Sequence, residues 1–347
     1  MMGANQEFLS CDWGTTSFRL RWVSGTDCRV LREIRGPGGI KTLHDEALRR
    51  GPQGEPDRGQ VFGRFLHEQL EKLLDDSSPH SPLPLLLSGM ASSSIGWREL
   101  PYAAAPFSLD GHGLIAEELD WNKPEWVGPT YLISGVATQH EMMRGEETEA
   151  IGLMSDPALS ALRQRSLLIL PGTHSKHIWI EDQRVVDFRT FMTGELFDVL
   201  GRQSLLRASV NLDSHAGDPA LSEPDRAAFQ EGAIWGKDNG LAGGLFRVRT
   251  RAVLDHAPLT SNTWFFSGLL IGAELASVCA NAGSRPVILA ATRALSELYG
   301  LALAAIAGKT IEWIQLPAEQ VERATIIGHS LFLRNRCNRG VSPPSKC

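Results

Sequence analysis

Cysteine is scarce and poorly placed for cross-linking. The five cysteines (Cys11, Cys28, Cys279, Cys337, Cys347) are odd in number, scattered over 347 residues and without a CxxC pair. That pattern suggests neither a zinc site nor a disulfide framework and fits a reducing, cytoplasmic setting. An excess of positive charge is missing too. With 34 basic against 40 acidic residues the net charge is −6, which argues against a general nucleic-acid or anionic-membrane surface, so an anionic ligand has to be held locally. MMGANQEF lacks a basic segment followed by an apolar core, so no signal peptide is expected. The most membrane-like stretch, TWFFSGLLIGAELASVCA (Thr263 to Ala280), is interrupted by Glu274 and punctuated by Ser and Gly, and reads as a buried helix. The common phosphate motifs are absent: there is no GxxxxGKS or GxxxxGKT, and GHGLIAE fails GxGxxG at Ala116.

What is present is an ordinary globular composition, 42% hydrophobic and 21% charged, on a chain long enough for two domains of roughly 150 residues each. The stretch FLSCDWGTTSFRLRWV (Phe8 to Val23) breaks an apolar run at Asp12, turns through Gly14, Thr15, Thr16 and Ser17, and resumes an apolar alternation. A plain hairpin needs only Asn-Gly or Asp-Gly, so this turn reads as a seat for an anion. Strands are expected at Phe8 to Cys11, Phe18 to Val23 and near Cys28 to Ile34. A turn-rich loop follows over Gly36 to Leu43, a polar loop over Arg49 to Gly59 and a helix over Val61 to Leu74, with Phe62, Phe65, Leu66, Leu70 and Leu73 on one face. LPLLLSGM and TYLISGV each read as a strand buried on both faces and ending in Ser-Gly; ligands collect at the carboxyl ends of such strands. A helix is expected from Met142, then a polar linker over Ser155 to Arg165.

The segment SLLILPGTHSKHIWIEDQRVVDFRTFMTGELFDVL repeats the opening design: buried strand, Gly/hydroxyl turn, strand, hairpin turn, strand, and a helix capped by Thr193. Two similar lobes gripping one ligand are implied. Phosphate is the natural guest, because amides without bulky side chains converge on an oxyanion. Further on, VILA reads as a strand, Ala290 to Thr292 as a small-residue turn, and Leu295, Leu298 and Tyr299 as the inner face of a helix. ERATIIGHSLFL reads as a helix in which Gly328 allows close approach, and RNRCNRGVSPPSKC as a disordered tail.

Two Gly/Thr hairpins, one led by an aspartate at a strand end, resemble the actin, chaperone and sugar-kinase superfamily. MRGEETEAIG, PGTHSKHIW, DFRTFMTGELF, SGLLIGAE and SGMASSSIGW together resemble the 2-dehydro-3-deoxygalactonokinase family from about Ser10 to Ser330. The resemblance implies an α/β fold with two ribonuclease H-like lobes and a central interdomain cleft. The first lobe is expected over 1–160, the second over 166–318, with a C-terminal helix over 319–335 packing back on the first lobe and a tail over 336–347. It implies ATP and Mg²⁺, with Asp12 holding the metal through water, Thr15, Thr16 and Ser17 lining the phosphates from one lobe, and Gly172, Thr173 and His174 from the other. Lys176 either adds positive charge there or is solvated. Related glycerol and xylulose kinases carry a catalytic aspartate in a GDQ segment; here Gly145 is followed by Glu146, the expected base, its ionised form favoured by the helix start. Glu147 points about 100° away on the helix. Arg144 is the expected clamp for the substrate carboxylate. Ser88, Gly89, Met90 and Ser92 are the expected readers of sugar hydroxyls, and Trp97 is either a pocket wall or core. Adenine is expected at Ala290, Ala291 and Thr292, where relatives carry glycines. Asp187, Arg189 and Glu195 belong to the family pattern without a derivable role, an internal Asp/Arg pair being the default. The implied activity is transfer of phosphate from ATP to the 6-hydroxyl of 2-dehydro-3-deoxy-D-galactonate in galactonate catabolism, with a small sugar acid as partner, no nucleic acid and no membrane; a homodimer is left open. The alternatives are a kinase for a related sugar acid, a phosphohydrolase, or a non-catalytic nucleotide-gated protein of the same fold.

Overall fold

The structure is a computed structural model that describes residues 6–50, 57–74, 79, 81–215, 221–280, 285–307 and 311–338. Most of the polar loop read over Arg49 to Gly59, and the tail beyond Asn338, lie outside the described residues; Arg334 to Asn338, expected to belong to that tail, are helical instead. The chain divides into two compact units, one of Met1–Ser160, Gln183–Asp187 and Glu322–Cys347, the other of Ala161–Asp182 and Phe188–Val321.

In the first unit β1 (Phe8–Trp13), β2 (Phe18–Val23) and β3 (Val30–Gly36) lead into α1 (Ile40–Arg50) and α2 (Arg58–Leu74), then β4 (Leu83–Gly89). Short strands β5 (Ala103–Ala104), β6 (Phe107–Ser108) and β7 (Ala116–Glu118) precede β8 (Val127–Ile133), β9 (Val136–Ala137), β10 (Met142–Met143) and α3 (Glu146–Met154). The main sheet runs β3-β2-β1-β4-β8-β7. β2 is antiparallel to β1 and β3, whereas β4 is parallel to β1 and β8.

Side-chain alternation along these strands fills two cores. Leu9, Cys11, Trp13, Leu85 and Leu87 pack with Leu43, Phe62, Leu66 and Leu70 of α1 and α2. Phe8 and Leu86 face the other way, against Ile326 and Phe332 near the chain's end. All seven residues of β4 are buried, as a strand covered on both faces requires. The loop read over Gly36 to Leu43 gives way to helix at Ile40 because the first α1 amides find acceptors on the hairpin: Ile40 N donates to Gly14 O and Lys41 N to Thr15 O, each at 3.0 Å. A helix from Met142 is likewise corrected. Met142 and Met143 pair with Ala137 and Val136, and the helix starts only at Glu146, after Gly145 at φ 112°.

In the second unit β11 (Arg165–Leu170), β12 (Ser175–Glu181) and β13 (Arg184–Phe191) are followed by α4 (Thr193–Gln203), α5 (Glu223–Gly244), α6 (Phe246–Val253), α7 (Leu259–Ala280), β14 (Val287–Leu289), α8 (Arg293–Ala307) and β15 (Trp313–Gln315). The strand order β15-β14-β11-β12-β13 repeats that of β8-β4-β1-β2-β3; β12 is antiparallel to β11, and β14 is parallel to both β11 and β15. The β12–β13 turn uses Asp182 at φ 46° and Gln183 at φ 62°, the left-handed pair that a two-residue hairpin loop demands. The helix that resembled a membrane span, α7, is buried against α5 through glycines at four-residue spacing. A Cβ on Gly268 or Gly272 would stand 2.0 Å from the carbonyl of Phe229 or Ala233, so the two backbones touch. Among the described residues, no helix is long and apolar enough to cross a membrane.

The last described element is α9 (Ala318–Asn338), whose part from Glu322 onward belongs to the first unit. There Gly328 and Gly152 bring α9 and α3 into contact: a Cβ would lie 2.3 Å from Thr148 O at the first and 1.9 Å from Ala324 O at the second.

Candidate active site

In the first unit the carboxyl ends of β1 and β4 meet the start of α3. Parallel pairing sets Asp12 beside Ser88 and Trp13 beside Gly89. Gly89 has φ 83°, and a side chain there would meet Trp13 O at 2.8 Å, while a Cβ on Gly145 would lie 3.3 Å from Gly89 Cα. Backbone alone fits where these three segments converge. Thr15, Thr16 and Ser17 are exposed at the hairpin tip, with Gly14 N bonded to Ser17 O at 2.9 Å.

Four carboxylates share this corner. Burial raises Asp12 above its ordinary range and the charge of Glu146 adds to that, while Arg19 and Arg21 oppose it. Burial, then the charge of Glu146, pushes Glu147 up to about 7; burial, then Asp12, Glu146 and Glu147, pushes Glu149 up to about 8. Glu146 and Glu147 both fold over the helix start. Arg144 N donates to Glu146 Oε2 at 2.9 Å and Gly145 N to Glu147 Oε2 at 2.7 Å. Glu147 is 1% exposed and also accepts from Thr148 Oγ1, whereas Glu146 keeps some solvent exposure. Arg19, opposite Asp12 in the hairpin register, is a site residue that the sequence reading missed; the cross-strand count from Gly14 to Ser17 would have found it.

Arg144 lies with its guanidinium 4.1 Å from the Tyr102 ring centroid. Its Nη1 donates to Ser92 O at 2.5 Å and Ser92 Oγ at 2.6 Å, and Ser92 Oγ in turn donates to Ile133 O at 2.7 Å. The Ser92 hydroxyl, buried and already bonded to Ile133 and Arg144, braces the turn after β4 and is not displayed to a sugar. Arg144 Nε and Ser88 Oγ are buried and, among the described residues, lack a hydrogen-bond partner. Trp97 belongs to the core: its ring packs edge-on to Trp13 and Trp121 and stacks with Phe62. Met90 is half-buried against the same cluster.

The second unit builds its own hairpin between β11 and β12. Thr173 and His174 are exposed and Gly172 half-buried. The start of α4 grips this turn as α1 grips the first: Glu195 N donates to Thr173 O at 3.2 Å, and a Cβ on Gly194 would sit 2.8 Å from Gly172 O. Glu195, without a role in the sequence, holds His174 Nε2 through Oε2. Lys176 is 4% exposed and its Nζ donates to His174 O at 3.1 Å, so the solvated alternative is corrected; the chain folds back along the hairpin. Asp187 and Arg189 are both exposed, and Arg189 lies 5.8 Å from the Trp179 ring centroid. Ala290 and Ala291 are each 2% exposed. Their methyls face inward, Ala291 within the core of β11, β14 and α8, and Thr292 is exposed at the start of α8.

Two sheets of matching strand order, each with a small-residue hairpin gripped by a helix start, define the actin-like ATPase class of fold. The family model for 2-keto-3-deoxy-galactonokinase matches residues 12–327, and the chain belongs to that family. It is 32% identical over 307 residues to the probable 2-dehydro-3-deoxygalactonokinase of Rhizobium meliloti (strain 1021), covering 85% of this chain and 88% of that one. It is 30% identical over 272 residues to the 2-dehydro-3-deoxygalactonokinase of Escherichia coli (strain K12), covering 78% and 80%. Among solved structures, a Sinorhizobium meliloti protein described as a 2-dehydro-3-deoxygalactonokinase superposes with a TM-score of 0.72 at 29% identity, over 96% of this chain and 100% of that one.

Proposed function

We propose that the protein transfers the γ-phosphoryl group of ATP to the 6-hydroxyl of 2-dehydro-3-deoxy-D-galactonate, with Glu146 as general base, in the galactonate catabolism of a cytoplasm. Family membership carries the activity. The observation that supports the site is the convergence of Asp12, Gly89 and the Gly145-Glu146 helix start within one unit.

Phosphoryl transfer needs a held triphosphate, an in-line hydroxyl and a proton acceptor. The amides and hydroxyls of Gly14, Thr15, Thr16 and Ser17, and those of Gly172, Thr173 and His174, receive the phosphates, with Lys176 lending charge to the second hairpin. Magnesium fits the first hairpin: Asp12 is a hard oxygen ligand whose ionised form is disfavoured by burial and by Glu146, a cost that a cation relieves. When bound, Mg²⁺ neutralises charge on the phosphate oxygens. Ser88, Gly89 and Met90 line the sugar, and the Nε–H of Arg144, which has no partner among the described residues, meets its carboxylate. As Glu146 takes the hydroxyl proton, the oxygen bonds to the γ-phosphorus, the β–γ bridge breaks and ADP departs. Adenine lies at Ala290 to Thr292, its fit set by two inward-facing methyls.

The test is a screen of ADP release over a panel of aldonic and 2-keto-3-deoxy acids. The proposal requires release that depends on the keto-deoxy acid. Release equal to the blank with every acid favours the phosphohydrolase or nucleotide-gated alternatives, and a stronger response to another acid moves the substrate.

A further inference from the structure

The residue that interrupts the apolar run of α7, Glu274, is 3% exposed and accepts from three side chains on three other elements. His177 Nε2 of β12 lies 2.9 Å from Oε1. Tyr299 Oη of α8 lies 2.7 Å from Oε2, and Thr193 Oγ1 at the start of α4 donates to the same oxygen. A buried carboxylate is tolerated only when its lone pairs are met in this way. A helix with no other reason to carry charge here, packed by glycines on its α5 side, holds this one where four elements meet.

Two routes lead from that carboxylate to the second hairpin. Along the first, Tyr299 Oη is 2.9 Å from Ser175 Oγ, and Ser175 Oγ accepts from Gly172 N at 3.3 Å. Because Tyr299 donates to Glu274, it accepts from Ser175, so every donor in the chain Gly172 N–H, Ser175 O–H, Tyr299 O–H points toward the carboxylate and the bonds polarise one another. Along the second, Thr193 anchors the first residue of α4, and two residues later Glu195 N holds Thr173 O. Thr193, expected as the cap of α4, is instead its first helical residue: Met192 holds the cap position without a side-chain bond, and the threonine hydroxyl donates to the buried carboxylate.

We infer that Glu274 is a positioning residue for the second hairpin, fixing Gly172 through Tyr299 and Ser175 and Thr173 through Thr193, and so setting the affinity for the nucleotide phosphates. This rests on the proposed reading that the hairpin holds those phosphates. The residues assigned to the sugar acid, Ser88, Gly89, Met90 and Arg144, take no part in this network.

The structure also says which substitution is tolerated. In Glu274→Gln the amide oxygen can accept from Thr193 and Tyr299 while the NH₂ group faces His177. The ring can move its proton to Nδ1, which has no partner among the described residues, and accept at Nε2, so this variant leaves one donor unmet. Glu274→Leu offers no acceptor and strands three donors.

The test compares steady-state kinetics of the full-length protein and its Thr173→Val, Tyr299→Phe, Glu274→Gln and Glu274→Leu variants, with melting temperatures as a check of folding. Tyr299→Phe keeps the ring in the core and removes one link. It is expected to raise the KM for ATP roughly tenfold, with the KM for the sugar acid changed less than about twofold. Glu274→Leu does the same or fails to fold, and Glu274→Gln restores a KM for ATP near wild type. If Thr173→Val raises the KM for ATP and Tyr299→Phe does not, the positioning role is overturned while the hairpin reading stands. If Thr173→Val also leaves the KM for ATP unchanged, both fall. A lowered melting temperature in Tyr299→Phe with both KM values unmoved assigns the network to stability alone and overturns the inference.

Discussion

Replacing Glu146 with glutamine isolates the proton-acceptor role. In the folded chain the Glu146 carboxylate accepts the Arg144 amide at 2.9 Å, a bond that a glutamine oxygen reproduces, so the start of α3 keeps its geometry. The lost charge at the helix terminus costs about 0.3–1 kcal/mol of stability, too little to unfold a domain. A positioned general base contributes about 10²- to 10⁴-fold, or about 3–5 kcal/mol of barrier, and kcat should fall by that factor. The KM for ATP should stay within about threefold, because Glu146 raises Asp12 and its neutralisation makes Asp12 the better cation ligand. The assay is coupled ADP release with saturating sugar acid, and Glu147→Gln is the control. Glu147 is buried and holds Gly145 N and Thr148 Oγ1, so its variant should lose stability and keep kcat within about tenfold of wild type. A Glu146→Gln enzyme within about threefold of wild-type kcat would refute the base assignment, and a larger loss in Glu147→Gln would transfer it one residue on.

Asp12→Asn should raise the Mg²⁺ concentration needed for half-maximal rate by about tenfold or more, since a neutral amide is a poorer ligand for a hard cation; magnesium titration of the initial rate checks this, and an unchanged midpoint counts against Asp12. Burial lifts Glu147 to about 7 and Glu149 to about 8 from 4.5, so between pH 4.5 and 8 the folded chain holds more protons than the unfolded one. The stability contributed by these two groups is present below their unfolded value and declines as pH rises toward 8. Urea midpoints of metal-free protein should fall over that window, and Glu149→Gln should flatten the fall; a parallel decline in the variant would contradict the burial argument. Gly328→Ala puts a methyl 2.3 Å from Thr148 O. It should cost about 1–3 kcal/mol and lower kcat as well, because α3 carries Glu146; urea unfolding and kinetics on one preparation separate the two effects.

The strands were legible because a two-residue period separates Leu9, Cys11 and Trp13 from Phe8 and Ser10 before any fold is known, and because the second half repeats the pattern. The hairpin turns were legible from Asp12, Gly14 and Gly172, which a plain loop has no use for. Less was legible where a residue's partner lies far along the chain. Nothing local shows that α1 starts at Ile40 because Gly14 and Thr15 offer carbonyls, or that Thr193 turns from its own helix to Glu274. Ser92 and Trp97 sit in a motif that suggests display, yet one hydroxyl is held by Ile133 and Arg144 and the other ring by three aromatic neighbours. The glycines of α7 looked like interruptions in an apolar run, and only the crossing with α5 explains them. β15 has three residues, too few for any periodicity to register.

The most direct measurement is phosphorus–carbon coupling in the NMR spectrum of the product formed from ATP and 2-dehydro-3-deoxy-D-galactonate labelled with ¹³C at C6. A phosphate ester on C6, formed in step with ADP, is the predicted result. Inorganic phosphate with unaltered sugar acid, or coupling to any other carbon, would contradict it.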